Sequence, residues 1–246
     1  MATRRSSPHR LLTALEWPRA AFEASTLPAA WPVLRSAPRG DGHPVLVLPG
    51  YAAGDASTAA LRAYLRALGH RAHRWRLGWN LGLEDGVGGR LLARLDALHA
   101  RTGRAVSLVG WSLGGVYARE LAKLAPGRVR LVVTLGSPFG MNRGGVGWLA
   151  SMVHGQTARP ASRISDPPPV PSTAIVSRTD GIAGFHACLE APGEGRENLE
   201  VPGSHVGLGL NPLVLYAIAD RLAQPEGAWK SFDRSGLRSV LYGRVQ

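Results

Sequence analysis

Cysteine is almost missing from this sequence: Cys188 stands alone among 246 residues. No disulfide can form within the chain, and no Cys/His grouping has the spacing of a zinc site. Cys188 also lacks the surroundings of a reactive thiol, so a core or surface role is expected, and neither a metal nor a cofactor is called for. Lysine is nearly absent too, occurring only at Lys123 and Lys230, so arginine carries almost all of the +12 net charge. The arginines are spread along the chain, as in "RAYLRALGHRAHRWR", with no basic run interleaved with aromatics. That dispersion argues for a solvated surface and against a nucleic-acid partner. No stretch reaches the ~18 apolar residues of a membrane span. The N-terminal segment is a poor secretory leader, because Glu16, Pro18, Arg19 and Glu23 interrupt its apolar residues. A cytoplasmic location is the expectation, with an amphipathic contact of residues 10–24 with a membrane surface as the alternative. Oligomeric state is left open.

What is present is an alternation of short apolar strands with amphipathic helices. "PVLVL" reads as a strand ended by Pro49-Gly50, and "DASTAALRAYLRALGH" as a helix, with Asp55 or Ser57 as its cap and Leu61, Leu65 and Leu68 on one face. "RAHRWRL", "AVSLVG", "VRLVVTLGSP", "STAIVS" and "NLEVPG" read as further strands. "LEDGVGGRLLARLDALHARTG", "LGGVYARELAKLA" and "NPLVLYAIADRLAQ" read as helices. Strand–helix alternation predicts an α/β domain with a mainly parallel central sheet and helices on both faces. Residues 1–40 are expected to form an N-terminal helical extension too small for its own core. Residues 41–225 are the α/β domain, interrupted by an irregular insert at about 140–171, and residues 226–246 are an irregular tail.

The segment "LVGWSLGG" carries the chemistry. It fits G-x-S-x-G, with Gly110 and Gly114 flanking Trp111, Ser112 and Leu113, directly after an apolar strand and at the start of a helix. Such a strand-to-helix turn forces its serine into strained backbone, and small neighbours keep the turn from clashing. The hydroxyl then stands above the helix N-terminus, where free amides favour developing negative charge. A serine nucleophile needs a base and a carboxylate that orients the base. In folds with this elbow both follow the serine, acid first. His205, in the glycine-bounded loop "VPGSHVGLGLNP", is the base candidate ahead of His154 and His186. Asp180, in "RTDGIAG" directly after a strand, is the acid candidate ahead of Asp166; a plain Asp-Gly turn would also account for it. Oxyanion donors are expected from the amides of Leu113 and Tyr51, with a role as pocket wall only as the alternative for Tyr51.

In order along the chain, "VLVLPGY", "LVGWSLGG", "VVTLGSPF", "IVSRTDGI" and "VPGSHVGLGLNP" resemble elements of the α/β-hydrolase superfamily, in particular its compact bacterial lipase- or esterase-like members. The resemblance spans residues 44 to about 222. It implies Ser112 as nucleophile, Asp180 as acid, His205 as base, an oxyanion hole from Tyr51 and Leu113, and a cap built from the insert. Two departures stand out: Pro49-Gly50 replaces the His-Gly of many relatives, and the first two strands of larger members are missing. Phe139 and the insert's Trp148, Leu149, Met152 and Val153 are candidates for an acyl pocket or cap. For the last four, a small satellite core is an equal alternative. The expected activity is hydrolysis of a small-molecule ester or lipid. Acyl transfer, thioester cleavage by the same triad, and a silent binding or scaffold module are the alternatives.

Overall fold

A computed structural model describes residues 8–82, 86–140 and 164–245. Two helices lead in, α1 (Arg10–Ala14) and α2 (Glu16–Arg35), followed by β1 (Pro44–Leu48), α3 (Ala59–Ala67), β2 (Arg71–Arg74) and α4 (Val87–Thr102). Then come β3 (Val106–Trp111), α5 (Leu113–Leu124), β4 (Val129–Leu135), β5 (Ser172–Val176) and β6 (Arg196–Glu200). The chain ends with α6 (Pro212–Leu222), α7 (Arg238–Leu241) and β7 (Gly243–Arg244).

The seven strands form one sheet in the order β2-β1-β3-β4-β5-β6-β7. The six from β2 to β6 pair in parallel, and β7 closes the edge antiparallel to β6. Central strands buried on both faces read as continuous apolar runs, which is how "PVLVL" and "VRLVVTL" stand in the sequence. Alternate residues nonetheless serve different cores. Leu46 and Leu48 face a cluster with Leu91, Leu95 and Leu98 of α4 and Val116 and Leu121 of α5. Val45 and Val47 face the opposite cluster, with Leu34 of α2, Leu61 and Leu65 of α3, and Val214 and Ile218 of α6. Helices therefore cover both faces, and the carboxyl ends of the parallel strands all open on one side, where ligands bind in such sheets.

Three local readings are revised. Neither Asp55 nor Ser57 caps α3, whose cap residue is Thr58; Asp55 instead accepts the amides of Trp75 (3.1 Å) and Arg76 (3.3 Å) and ties that loop to β2. The tail is more ordered than its irregular sequence implied, since it supplies β7 and buries Phe232 and Tyr242 against the sheet. The arginines are not all solvated. Arg119 of α5 is fully buried, donates to Glu190 and to the Asp166 carbonyl (3.0 Å), and stacks 3.7 Å over the ring of Phe139.

Glu190 also accepts from Ser172 (2.9 Å) and is itself buried, so removing it strands a guanidinium in the core. Breaking a buried pair from one side costs about 3–5 kcal/mol. We expect Glu190→Ala to lower Tm by on the order of 10 °C in thermal denaturation; a Tm within about 2 °C of the parent would mean the pair adds nothing.

Candidate active site

Ser112 sits where β3 becomes α5, with φ 52° and ψ −121°, a backbone conformation that costs a non-glycine residue energy. The packing around it accounts for its glycines. A Cβ on Gly110 would lie 2.4 Å from the carbonyl oxygen of Gly114, and one on Gly114 would lie 2.4 Å from that of Leu48. A third glycine, Gly115, is equally confined, at 2.0 Å from Ser137 Oγ. The Ser112 amide donates to the Leu135 carbonyl at the end of β4 (2.8 Å), which pins the turn to the neighbouring strand. Leu113 opens α5, and a first-turn amide has no partner within its own helix.

The loop after β1 runs close by. A Cβ on Gly50 would be 3.3 Å from Ser112 Cβ and 4.0 Å from its Oγ, so only a glycine leaves the serine this clear. Tyr51 follows at once, and Ala52 is held at φ 52°. Asn80, which the sequence reading passed over, organises this loop. Its amide group donates to the Pro49 carbonyl (2.9 Å), its backbone exchanges hydrogen bonds with Ala52 and Ala53, and its Oδ1 accepts from Tyr117 of α5 (3.3 Å). The only local cue was an asparagine among glycines in "LGWNLG".

Asp180 and His205, 25 residues apart in sequence, meet beyond the ends of β5 and β6. His205 Nδ1 donates to Asp180 Oδ2 at 2.7 Å, and both side chains are buried. Asp180 Oδ1 accepts the amides of Ile182 (2.8 Å) and Ala183 (2.6 Å), so the Asp-Gly turn and the contact to histidine coexist on one carboxylate. Burial alone would lower the imidazole pKa; the charge and hydrogen bond of Asp180, then the charge of Glu16, outweigh it and hold the pKa above its ordinary value. The pair also touches the end of β4: a Cβ on Gly136 would lie 2.9 Å from Asp180 Oδ2 and 3.1 Å from His205 Nδ1. Gly136 follows Leu135, whose carbonyl holds the Ser112 amide. Trp111 completes the link, donating from Nε1 to the His205 carbonyl (3.0 Å) while its ring packs on Gly209.

The remaining candidates fall elsewhere. Phe139 is 2% exposed and lies in the core beneath Arg119, not on an open wall. Trp148, Leu149, Met152, Val153 and His154 lie outside the described residues. His186 is exposed on a short turn (Phe185–Cys188) and Asp166 is exposed as well. Cys188 is buried, and burial pushes its thiol pKa well up.

A hydrogen-bonded serine–histidine–aspartate chain lies at the opposite ends of the strands. His43 Nδ1 bonds Asp41 at 2.5 Å, and Ser107 Oγ bonds His43 Nε2 at 2.8 Å. Here Ser107 is inside β3 with no exposed surface, and burial leads in pushing His43 below its ordinary pKa. Burial would raise the Asp41 carboxyl, but hydrogen bonds from Arg130 and His43 hold it well below the usual carboxylate range. This relay staples β1 to β3; no substrate can reach its hydroxyl. Among the described residues, no group of three or more His, Cys, Asp or Glu side chains could hold a metal ion, and no helix is long and apolar enough to cross a membrane.

No protein-family model matches the sequence, and no curated protein matches it either. Solved structures do. An alpha/beta superfamily hydrolase from Oenococcus oeni PSU-1 matches 74% of this chain and 91% of its own, at 13% identity and a TM-score of 0.56. A pyrethroid hydrolase from Sphingobium faniae JZ-2 matches 74% of this chain and 98% of its own, at 19% identity and 0.56. Aspergillus fumigatus lipase B matches 85% of this chain and 59% of its own, at 17% identity and 0.60. At these identities the likeness is one of architecture, and it agrees with the sheet order and the strand-to-helix turn: the chain has the α/β-hydrolase fold.

Proposed function

We propose that this protein is a serine hydrolase of carboxylic esters, with Ser112 as nucleophile, His205 as general base and Asp180 as its orienting acid. The observation that carries the reading is the buried 2.7 Å hydrogen bond from His205 to Asp180, packed against Gly136 next to the Leu135 carbonyl that holds the strained Ser112. The pyrethroid hydrolase and the lipase among the structural neighbours support an ester as the substrate class.

Catalysis would proceed in two halves. His205 Nε2 takes the Ser112 proton as Oγ attacks the ester carbonyl carbon, and the carbonyl π electrons move onto oxygen. The amides of Leu113 and Tyr51 stabilise that oxyanion, a contribution of several kcal/mol in such sites (about 2.7–4 for one donor). Collapse expels the alcohol, which receives the proton from His205. Water, deprotonated by the same imidazole, then releases the acid and restores Ser112. Asp180 holds the Nδ1–H tautomer throughout and stabilises the imidazolium.

Two outcomes test the reading. Ser112→Ala should keep its fold, lose labelling by a fluorophosphonate probe, and cut kcat for p-nitrophenyl butyrate by at least about 10⁴-fold; undiminished turnover rejects Ser112 as nucleophile. The pH dependence of kcat/KM reports the free enzyme's base, which works only when neutral. Because the His205 pKa is raised, activity should climb with pH through a midpoint above the ordinary value of about 6.5. A midpoint below that would contradict the raised imidazole.

A further inference from the structure

The two buried acids of α2 take no part in the bond-making and bond-breaking steps above. Glu16 is 2% exposed and Glu23 is 9% exposed, in a segment whose other charges are arginines. Seven residues apart, they share one helix face. That face meets the loops after β5 and β6. Glu16 Oε1 accepts the amide of Gly181 and Oε2 accepts the amide of Val206, each at 2.8 Å. Gly181 directly follows Asp180, and Val206 directly follows His205. One carboxylate therefore joins the residue after the acid to the residue after the base.

We propose that Glu16 is a positioning residue of the active site, a clamp from α2 that sets the separation of the Asp180 and His205 loops and adds its charge to the field at the imidazole. The proposal rests on the hydrolase reading for its catalytic meaning but not for its geometry.

The neighbours of Glu16 reinforce the grip. Thr13 donates to the Gly181 carbonyl (2.5 Å), and Arg19 donates to the Thr179 carbonyl (2.7 Å) and hydroxyl (2.9 Å). A Cβ on Gly181 would come within 2.5 Å of the Leu12 backbone, so α1 lies against the turn that carries the acid. On the other side of the base, Glu23 accepts the Ser204 amide (2.7 Å) and an N–H of Asn211 (3.1 Å). His205 is thus bracketed, its preceding residue held by Glu23 and its following residue by Glu16. Burying a carboxylate is costly unless it is fully hydrogen-bonded, and apolar residues fill such a helix interface without that cost. An acid here does what an apolar side chain cannot: it bonds two amides from different loops at once.

The electrostatics point the same way. The charges that face His205 are Asp180 from the β5 loop and Glu16 from α2, and both favour the protonated ring. Arg19 faces Glu16, with Nη1 at 3.7 Å from Oε1. Removing the Glu16 charge should therefore lower the His205 pKa, whereas a purely structural acid would leave it in place.

The test compares Glu16→Gln and Glu16→Asp with the parent in the full-length protein. Folding is checked by circular dichroism, and His205 is titrated by NMR through its ring resonances. Gln keeps the length, removes the charge and turns one acceptor into a donor that confronts an amide. We expect His205 in Glu16→Gln to titrate at lower pH, the acid limb of kcat/KM to move with it, and kcat to fall about 10- to 100-fold with KM little changed. Asp keeps the charge but is one methylene too short to span both amides, so it should lose kcat while leaving the titration near the parent's. An unmoved His205 titration in folded Glu16→Gln, or parental kcat in Glu16→Asp, overturns the clamp. If Glu16→Gln does not fold, parental kcat in Glu16→Asp still overturns it and reduced kcat with a retained titration supports it. A parent that neither hydrolyses esters nor reacts with fluorophosphonate overturns the hydrolase reading instead, and the NMR titration then still decides the clamp.

Discussion

A serine at positive φ persists only where its surroundings leave it no alternative, and at Ser112 they are built to do so. Three glycines let three backbones converge: the end of β1, the elbow, and the segment just after β4 through Ser137. A methyl group at any of them would collide with an atom 2.0–2.4 Å away. The strain at one residue, of order 1–3 kcal/mol, is spread into the packing of the sheet's centre. The positions of Gly50, Leu113 and Gly136 follow from that convergence, and so does the register in which β4 presents Leu135 to the Ser112 amide. What sits around the serine is a consequence of how closely the chain must pass itself there.

The Ser107–His43–Asp41 chain and the His205–Asp180 pair show that connectivity alone does not set an imidazole's character. Both have short imidazole–carboxylate contacts, and the one through Ser107 has a full chain of hydrogen bonds. They differ in what surrounds the imidazole. Burial first, then the charges of Arg130 and Arg104, drive the His43 pKa down against the pull of Asp41, as befits a neutral structural bridge. His205 has the charges of Asp180 and Glu16 on its side, which outweigh burial and drive its pKa up, as the proposed general base would need. Location on the sheet separates them too, since one sits at the amino ends of the strands and the other at the carboxyl ends.

Much of this was legible in the sequence. The α/β alternation was, because buried strands and amphipathic helices have different periods. Ser112, Asp180 and His205 stood out because each falls in a glycine-bounded turn directly after an apolar strand. Glu16 did not: its partners lie 165 and 190 residues away, and locally it reads only as a charge that interrupts an apolar segment. Asn80 was hidden for a similar reason, since it acts through backbone groups of a distant loop. The dispersed arginines argued for a solvated surface, because composition cannot show that Glu190 stands inside to meet Arg119. Long-range partners of buried polar groups leave no periodic trace.

The two borders of the sheet are finished differently. At β2 the border strand reads "RAHR", with exposed arginines at both ends, a composition that resists pairing with another chain. At the far border β6 alternates half-buried and buried residues, and its outward backbone groups are met by Leu199 pairing with Arg244 and Glu200 with Gly243. Two residues of a tail with little sequence character thus act as a selvedge. They cover the β6 edge at Leu199 and Glu200, so the backbone there is already paired within the sheet.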